Sequence, residues 1–163
     1  MSSRILIGLV LASCFISLKG QEQPLKDFAE DRRERKLVFY ASTLRMVNLS
    51  ENQDFNEMVK GVDKLLIYSL DSATRSSKSY IQISEDYKQE GFDEYASARG
   101  GRYTLSLMGN LENDEHEYVG YVGQGDNVFA FYLKGSVDWQ KIPELIRNIN
   151  KEDFLDLNNF LNR

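Results

Sequence analysis

The chain has 163 residues, with 20 Lys and Arg against 25 Asp and Glu, one His, one Cys and a net charge of −5. That acidic balance argues against nucleic acid, whose binding rests on neutralising phosphates with clustered Lys and Arg. A lone cysteine excludes a disulfide framework, and a lone histidine leaves little to build a zinc site or a Ser-His-Asp triad from.

Met1 to Arg4 form a short polar head with one positive charge, and Ile5 to Leu18 is mostly apolar. That run is shorter than the about 20 apolar residues of a permanent membrane span, and polar sequence follows at once. It has the pattern of an export signal. Two endings compete. Leu11, Ala12 and Ser13 before Cys14 have the small residues of a lipobox, which would put a lipid on Cys14 and tether the chain. Phe15 and Ile16 instead continue the apolar run past that point, and Gly20 offers a small residue before Gln21. Cleavage near Gln21 is the favoured reading, with lipid anchoring at Cys14 the alternative. Residues 1–20 are thus expected to be a signal peptide, and residues 21–163 one periplasmic domain that touches membrane only through the signal or a lipid on Cys14. Removing residues 1–20 takes away Arg4 and Lys19 and no acid, leaving 18 basic against 25 acidic side chains. Roughly 140 residues suffice to bury a core without covalent staples.

Along the domain, Leu25, Phe28 and Ala29 have helical spacing. The mixed-charge run Asp31 to Lys36 reads as a solvated helix end, and Lys36 to Ala41 as a β-prone run. Thr43 to Leu49 predicts a short helix. Ser50 and Gln53 have capping-box spacing ahead of an apolar face of Phe55, Met58, Val59 and Val62, with Gly61 near the stop. Lys64 to Leu70 predicts a buried strand, and Tyr80, Ile83 and Tyr87 an amphipathic helix ending at Gly91. From there the period becomes two. Phe92 to Arg99 and Arg102 to Met108 flank Gly100-Gly101, a hairpin signal, and Tyr118 to Val122 and Val128 to Lys134 flank the turn-forming Gly123 to Asn127. Trp139, Ile142, Leu145, Ile146 and Ile149 return to helical spacing, with Pro143 tolerated in a first turn. Asp153 to Leu161 predicts a short terminal helix.

The expected fold is α+β: a two-layer sandwich whose mostly antiparallel sheet lies in the C-terminal half, with helices packed on one face. If the second hairpin is symmetric about Gly125, Tyr118 opposes Tyr132, Gly120 opposes Ala130, and Val122 opposes Val128 on the uncovered face. These six residues would form a shallow apolar recess for an envelope protein or a small apolar ligand.

The order of elements carries a resemblance. Tyr87 to Tyr95, the strand Tyr103 to Met108, Val128 to Asp138 and the helix with Leu145, together with Leu25 to Phe28 and Thr43 to Leu49, resemble a family of small exported Bacteroidota proteins, lipoproteins among them, that carry a domain of unknown function. The resemblance implies an envelope location and a compact α+β module. It assigns no activity and no site residue.

The chemical inventory is thin. Glu112 to Glu117, with His116, is the densest group of possible metal ligands, yet it lacks calcium-loop spacing and has too few imidazoles for zinc. A solvated inter-strand loop is the expected reading, and no cofactor, metal or catalytic residue is expected. Gly123 to Gly125 lacks the helix and lysine of a phosphate loop. Trp139 belongs to an apolar helix face. The function expected is a non-catalytic, exported binding or interaction module. The alternative is a hydrolase acting on envelope glycans or peptides through paired carboxylates.

Overall fold

The computed structural model describes residues 21–47, 53–111 and 116–149. Cys14, the signal segment, the capping pair's Ser50, the loop 112–115 and the terminal helix expected over 153–161 lie outside the described residues. The elements run α1 (Gln23–Ala29), β1 (Arg33–Tyr40), α2 (Ala41–Val47), α3 (Gln53–Val59), β2 (Val62–Leu70), α4 (Ser72–Ser77) and α5 (Gln82–Gln89). They continue through β3 (Asp93–Gly100), β4 (Tyr103–Asn110), β5 (Glu117–Gln124), β6 (Asn127–Gly135) and α6 (Ile142–Ile149), with single 3-10 turns at Ser79–Ile81 and Trp139–Lys141. The fold is α+β. One six-stranded sheet has the order β1-β2-β6-β5-β4-β3, and every neighbouring pair is antiparallel.

The layering differs from the expectation of helices on one face. On one side Leu65, Ile67, Leu107, Phe131 and Leu133 pack with Leu44 of α2, Phe55 and Val59 of α3, and Leu145 and Ile146 of α6. On the other, Leu66, Tyr68, Val119, Tyr121 and Ala130 pack with Leu25 of α1 and with Ile83 and Tyr87 of α5. The cause lies in the central strands. Leu65-Leu66-Ile67-Tyr68 and Val128 to Leu133 are apolar at consecutive positions, so both faces of the sheet must be covered. The sheet also extends into the N-terminal half, since β2 of that half pairs with β6 and carries β1 at its far side.

The second hairpin has a register one residue away from the expected one. Gln124 pairs with Asn127 and Gly123 with Val128, leaving only Gly125 and Asp126 in the turn. An even loop puts the hairpin axis between two residues, whereas the expected five-residue loop puts it on Gly125. The shift separates the expected pairs. Tyr118 now faces Leu133, Gly120 faces Phe131, and Val122 faces Phe129. Tyr118 and Val122 belong to the α3–α6 side, whereas Val128, Ala130 and Tyr132 belong to the α1–α5 side. All six residues are buried, so no open apolar recess exists at Tyr118, Gly120, Val122, Val128, Ala130 and Tyr132. The tight two-residue turn, the commonest hairpin connection, supplies the physical reason.

The charged run also changes place. Arg33 to Lys36 belong to the edge strand β1 and not to a helix end, because α1 stops at Ala29 and pairing with β2 begins at Arg33.

Gly120 is the tightest point of the sheet. A Cβ there would come within 1.9 Å of the Ser106 backbone oxygen on β4, and backbone cannot swing aside as a side chain can. Gly120→Ala should therefore destabilise the fold by about 1–3 kcal/mol, as overpacked cores do. Denaturant unfolding checks this, and a midpoint equal to the wild type would show that β4 and β5 do not approach so closely.

Candidate functional site

With the expected recess closed, the site must be sought where the chain is open. The strand ends that carry the two hairpin turns lie together, since Tyr103 at the start of β4 pairs with Gln124 at the end of β5. The Gly125 N–H donates to the Arg102 carbonyl at 2.8 Å, which ties one turn to the other. β2 ends at the same end of the sheet, because Ser69 pairs with Phe129 near the start of β6, and α4 leaves from there.

Between α4 and the two turns lies an open cleft of about 680 Å³. Ser72, Arg75, Ser76, Lys78 and Tyr80 form one wall, and Arg99 to Tyr103 the other. Thr104, Gly123 and Val128, which stand in one cross-strand row, lie between them. That row exists because of the two-residue turn: the five-residue loop would have left Gly123 unpaired.

The α4 wall is built by local rules. Asp71 caps the helix, its side chain accepting from the Thr74 N–H at 2.7 Å, and this bond holds the Asp71 carboxyl below the usual carboxylate range. Lys78 then takes a left-handed conformation, φ 58°, and its N–H donates to the Arg75 carbonyl at 3.2 Å, which ends α4 and starts the 3-10 turn. Arg75 is committed to structure: its guanidinium donates to the Leu70 carbonyl and reaches Glu34 of β1 at 3.1 Å. It staples α4 to the end of β2.

Three other cations remain at the rim. Lys78, Arg99 and Arg102 are exposed, and among the described residues none has a carboxylate at ion-pair distance. Arg99 has one neutral partner, the hydroxyl of the buried Tyr121 at 3.4 Å, and Tyr121 is in turn braced edge-on by Tyr80, with ring centroids 4.9 Å apart. The lining holds a single carboxylate, Asp126. The cleft is therefore a cationic rim over a small, hydroxyl-bearing floor in an acidic chain. Such a site attracts anions and offers forked donors to planar oxyanions.

None of the cations was singled out in the sequence, whereas Gly123 and Gly125 were set aside as a phosphate loop and Val128 was placed in the expected recess. Arg75 and Lys78 come from a segment without a hydrophobic stripe, and Arg99 and Arg102 flank the Gly100-Gly101 turn at the ends of two strands, where period marks no face. The available signal was the Asp71 cap followed by Ser72 to Ser77, with basic residues on both sides of the Gly100-Gly101 turn.

A second polar group is closed. Glu117 is buried and accepts a hydrogen bond from Tyr132, beneath α1 and α5. Nearby, the Tyr87 hydroxyl accepts from the Leu25 N–H at 3.2 Å and donates to the Gln21 carbonyl at 2.8 Å, anchoring the start of the domain. Glu22 bridges Lys26 and Lys64; burial works to raise its carboxyl, but these hydrogen bonds leave it below the usual range. These contacts fasten α1 to the sheet. His116 is partly buried beside Tyr118, and its carbonyl accepts from Gly135 at 2.9 Å, so its backbone belongs to the sheet margin. Among the described residues no group of three or more metal-ligating side chains converges, and no helix is long and apolar enough to cross a membrane.

Burial pushes the Tyr87 and Tyr132 hydroxyls well above the ordinary tyrosine value of 10.0, and the Glu117 carboxylate adds to the effect on Tyr132. The unfolded chain releases these protons first, so the stabilisation is complete below about pH 10 and is lost as the pH rises beyond it. Denaturant midpoints should hold up to about pH 9.5 and fall above about pH 10, and Tyr87→Phe should make that fall shallower. An equally steep decline in the variant would contradict this assignment. No protein-family model matches the chain, and no curated protein or solved structure matches it either, so the resemblance to the Bacteroidota family rests on core and turn patterns alone.

Proposed function

We propose that the protein is a non-catalytic binding module, exported to the bacterial cell envelope, that holds an anionic ligand in the cleft between α4 and the hairpin turns. One observation carries this reading: Lys78, Arg99 and Arg102 converge on one cleft without carboxylate partners among the described residues, in a chain of net charge −5. Holding like charges on a shared rim raises the energy of the empty site, and an anion relieves that repulsion while accepting their hydrogen bonds.

The cleft volume of about 680 Å³ falls within the range of small-molecule sites. The backbones of its donors are held by a capped helix end and a hairpin, so the ordering on binding is confined to their side chains. Cations, hydroxyls and one carboxylate are a set suited to recognition, whereas proton-transfer chemistry would call for an acid–base pair. The export address is supported by the charged head and apolar run of residues 1–18 and by the family resemblance. Kinship with that family is part of the same proposal.

Titration with inorganic pyrophosphate, followed by calorimetry at low and at physiological salt, tests the reading. Binding should weaken with salt, since exposed charges are screened within about 8 Å at 0.15 M. Replacing Lys78, Arg99 and Arg102 together by alanine should cost about tenfold or more in affinity, while each surface change alters stability by no more than about 0.5 kcal/mol. A neutral disaccharide that binds as well as pyrophosphate, or undiminished binding by the triple variant, would overturn it.

A further inference from the structure

The two edges of the sheet differ in a way the proposed ligand site does not explain. β3 closes one edge with Ala96, Ser97 and Ala98, small residues beside a bulge between Glu94 and Ala96, while its one aromatic side chain, Tyr95, turns inward against Tyr118 and Trp139. Such an edge offers little to another strand. β1 closes the other edge, and among the described residues it pairs with β2 alone. β1 too has a bulge, between Arg33 and Arg35 at its start, but from Arg35 to Tyr40 it pairs without interruption.

β1 is divided in two by chemistry. Arg33, Arg35 and Lys36 form a basic half; all three are exposed, and none has a carboxylate at ion-pair distance among the described residues. Glu34, the acid among them, is committed to Arg75 at 3.1 Å. Lys36 leans over the Tyr68 ring at 5.8 Å, which leaves its charge at the edge. The second half is apolar. Val38 is 39 % and Tyr40 54 % exposed, and Met46 of the adjoining α2 is 73 % exposed. Val38 and Tyr40 pair with Leu66 and Lys64 on β2, and they stand on the α1 side of the sheet, opposite to Phe39, which is buried on the α3–α6 side. α1 covers Leu66 and Tyr68 but stops short of β1.

We infer that β1 is a docking edge for an extended polypeptide segment of a partner protein, added as a seventh strand. The sheet is antiparallel throughout, and an antiparallel newcomer meets Tyr40 first and Arg33 last. The complementary segment is therefore apolar in its first half, where it covers Val38 and Tyr40, and acidic in its second half, where it faces Arg35 and Lys36. Main-chain hydrogen bonds supply affinity in this mode, and the side-chain pattern supplies selection. A second copy of β1 is a poorer occupant, because antiparallel pairing sets its apolar half against Arg33, Arg35 and Lys36, and its one acid, Glu34, is held by Arg75.

The test uses the full chain and a capped, strand-length peptide with alternating Val and Thr followed by alternating Asp and Thr. Its controls are a scrambled peptide and one with Lys in place of Asp. Fluorescence anisotropy should show tighter binding of the ordered acidic peptide than of either control, and hydrogen exchange should show new protection confined to the β1 amides. Val38→Lys with Tyr40→Lys, and separately Arg35→Glu with Lys36→Glu, should each weaken binding by about tenfold or more with the unfolding midpoint kept. Wild-type exchange needs no variant. Only the β1 amides that point away from β2 report on the edge: their protection in the chain alone would show that the edge is covered by its own chain, and protection that grows with protein concentration would show a second copy. Either result overturns the inference, as does equal affinity for the three peptides or protection elsewhere.

Discussion

The structure depends on the burial of its central strands on both faces. β2 and β6 place apolar side chains at consecutive positions, from Leu65 to Tyr68 and from Val128 to Leu133, so neither face of the sheet can meet water. Fully burying a Leu, Val or Phe side chain is worth about 1.5–3 kcal/mol, and no surface ion pair of this protein competes with that. Two helical layers follow from it: α2, α3 and α6 on one side, α1 and α5 on the other. Because the sheet is enclosed, access to the molecule is confined to its strand ends and its two edges.

That confinement explains where the polar chemistry collects. At one end of the sheet the tight turns and the capped α4 expose donors that the interior cannot hold, and Arg75 binds this end together by reaching both β2 and β1. Polar groups that do enter the interior are paired there, as Glu117 with Tyr132 and Ser84 with Ser106 at 2.6 Å, in keeping with the cost of burying an unsatisfied group. Tyr68 is the exception among the described residues, its buried hydroxyl having no partner. The net charge thus conceals a sorting: the basic side chains of Lys78, Arg99 and Arg102 gather at one cleft in a molecule that is acidic as a whole.

Much of this fold was legible in the residues. Lys64 to Leu70 and the stripe Ile142, Leu145, Ile146 and Ile149 lie where period and β-propensity put them, and Gly91 follows α5 with φ +87° as a left-handed stop. Two things were not legible, for physical reasons. Hairpin register turns on whether two or five residues make the turn, and Gly123-Gln-Gly-Asp-Asn127 is compatible with either; one residue of slip put the β5 and β6 members of the expected recess on opposite faces. The number of layers was misread because a sheet with one covered face was inferred from the order of elements and the period-two strands of the second half, whereas the doubly apolar β2 and β6 decide the matter. The cleft was invisible for a third reason. Its cations come from the end of α4 and from the two sides of the β3–β4 turn, brought together only by a sheet order in which β2, β6, β5 and β4 follow one another.

The central claim is that the enclosed sheet leaves one cationic cleft as the ligand site. Backbone amide shifts of the full chain, followed by nuclear magnetic resonance during titration with inorganic pyrophosphate, test it most directly. The account predicts saturating shifts confined to Lys78, Gly100, Gly101, Arg102 and Gly125, around the cleft between α4 and the two turns. Shifts that fail to saturate, or that spread to Arg33, Arg35 and Lys36 in proportion to their charge, would contradict it.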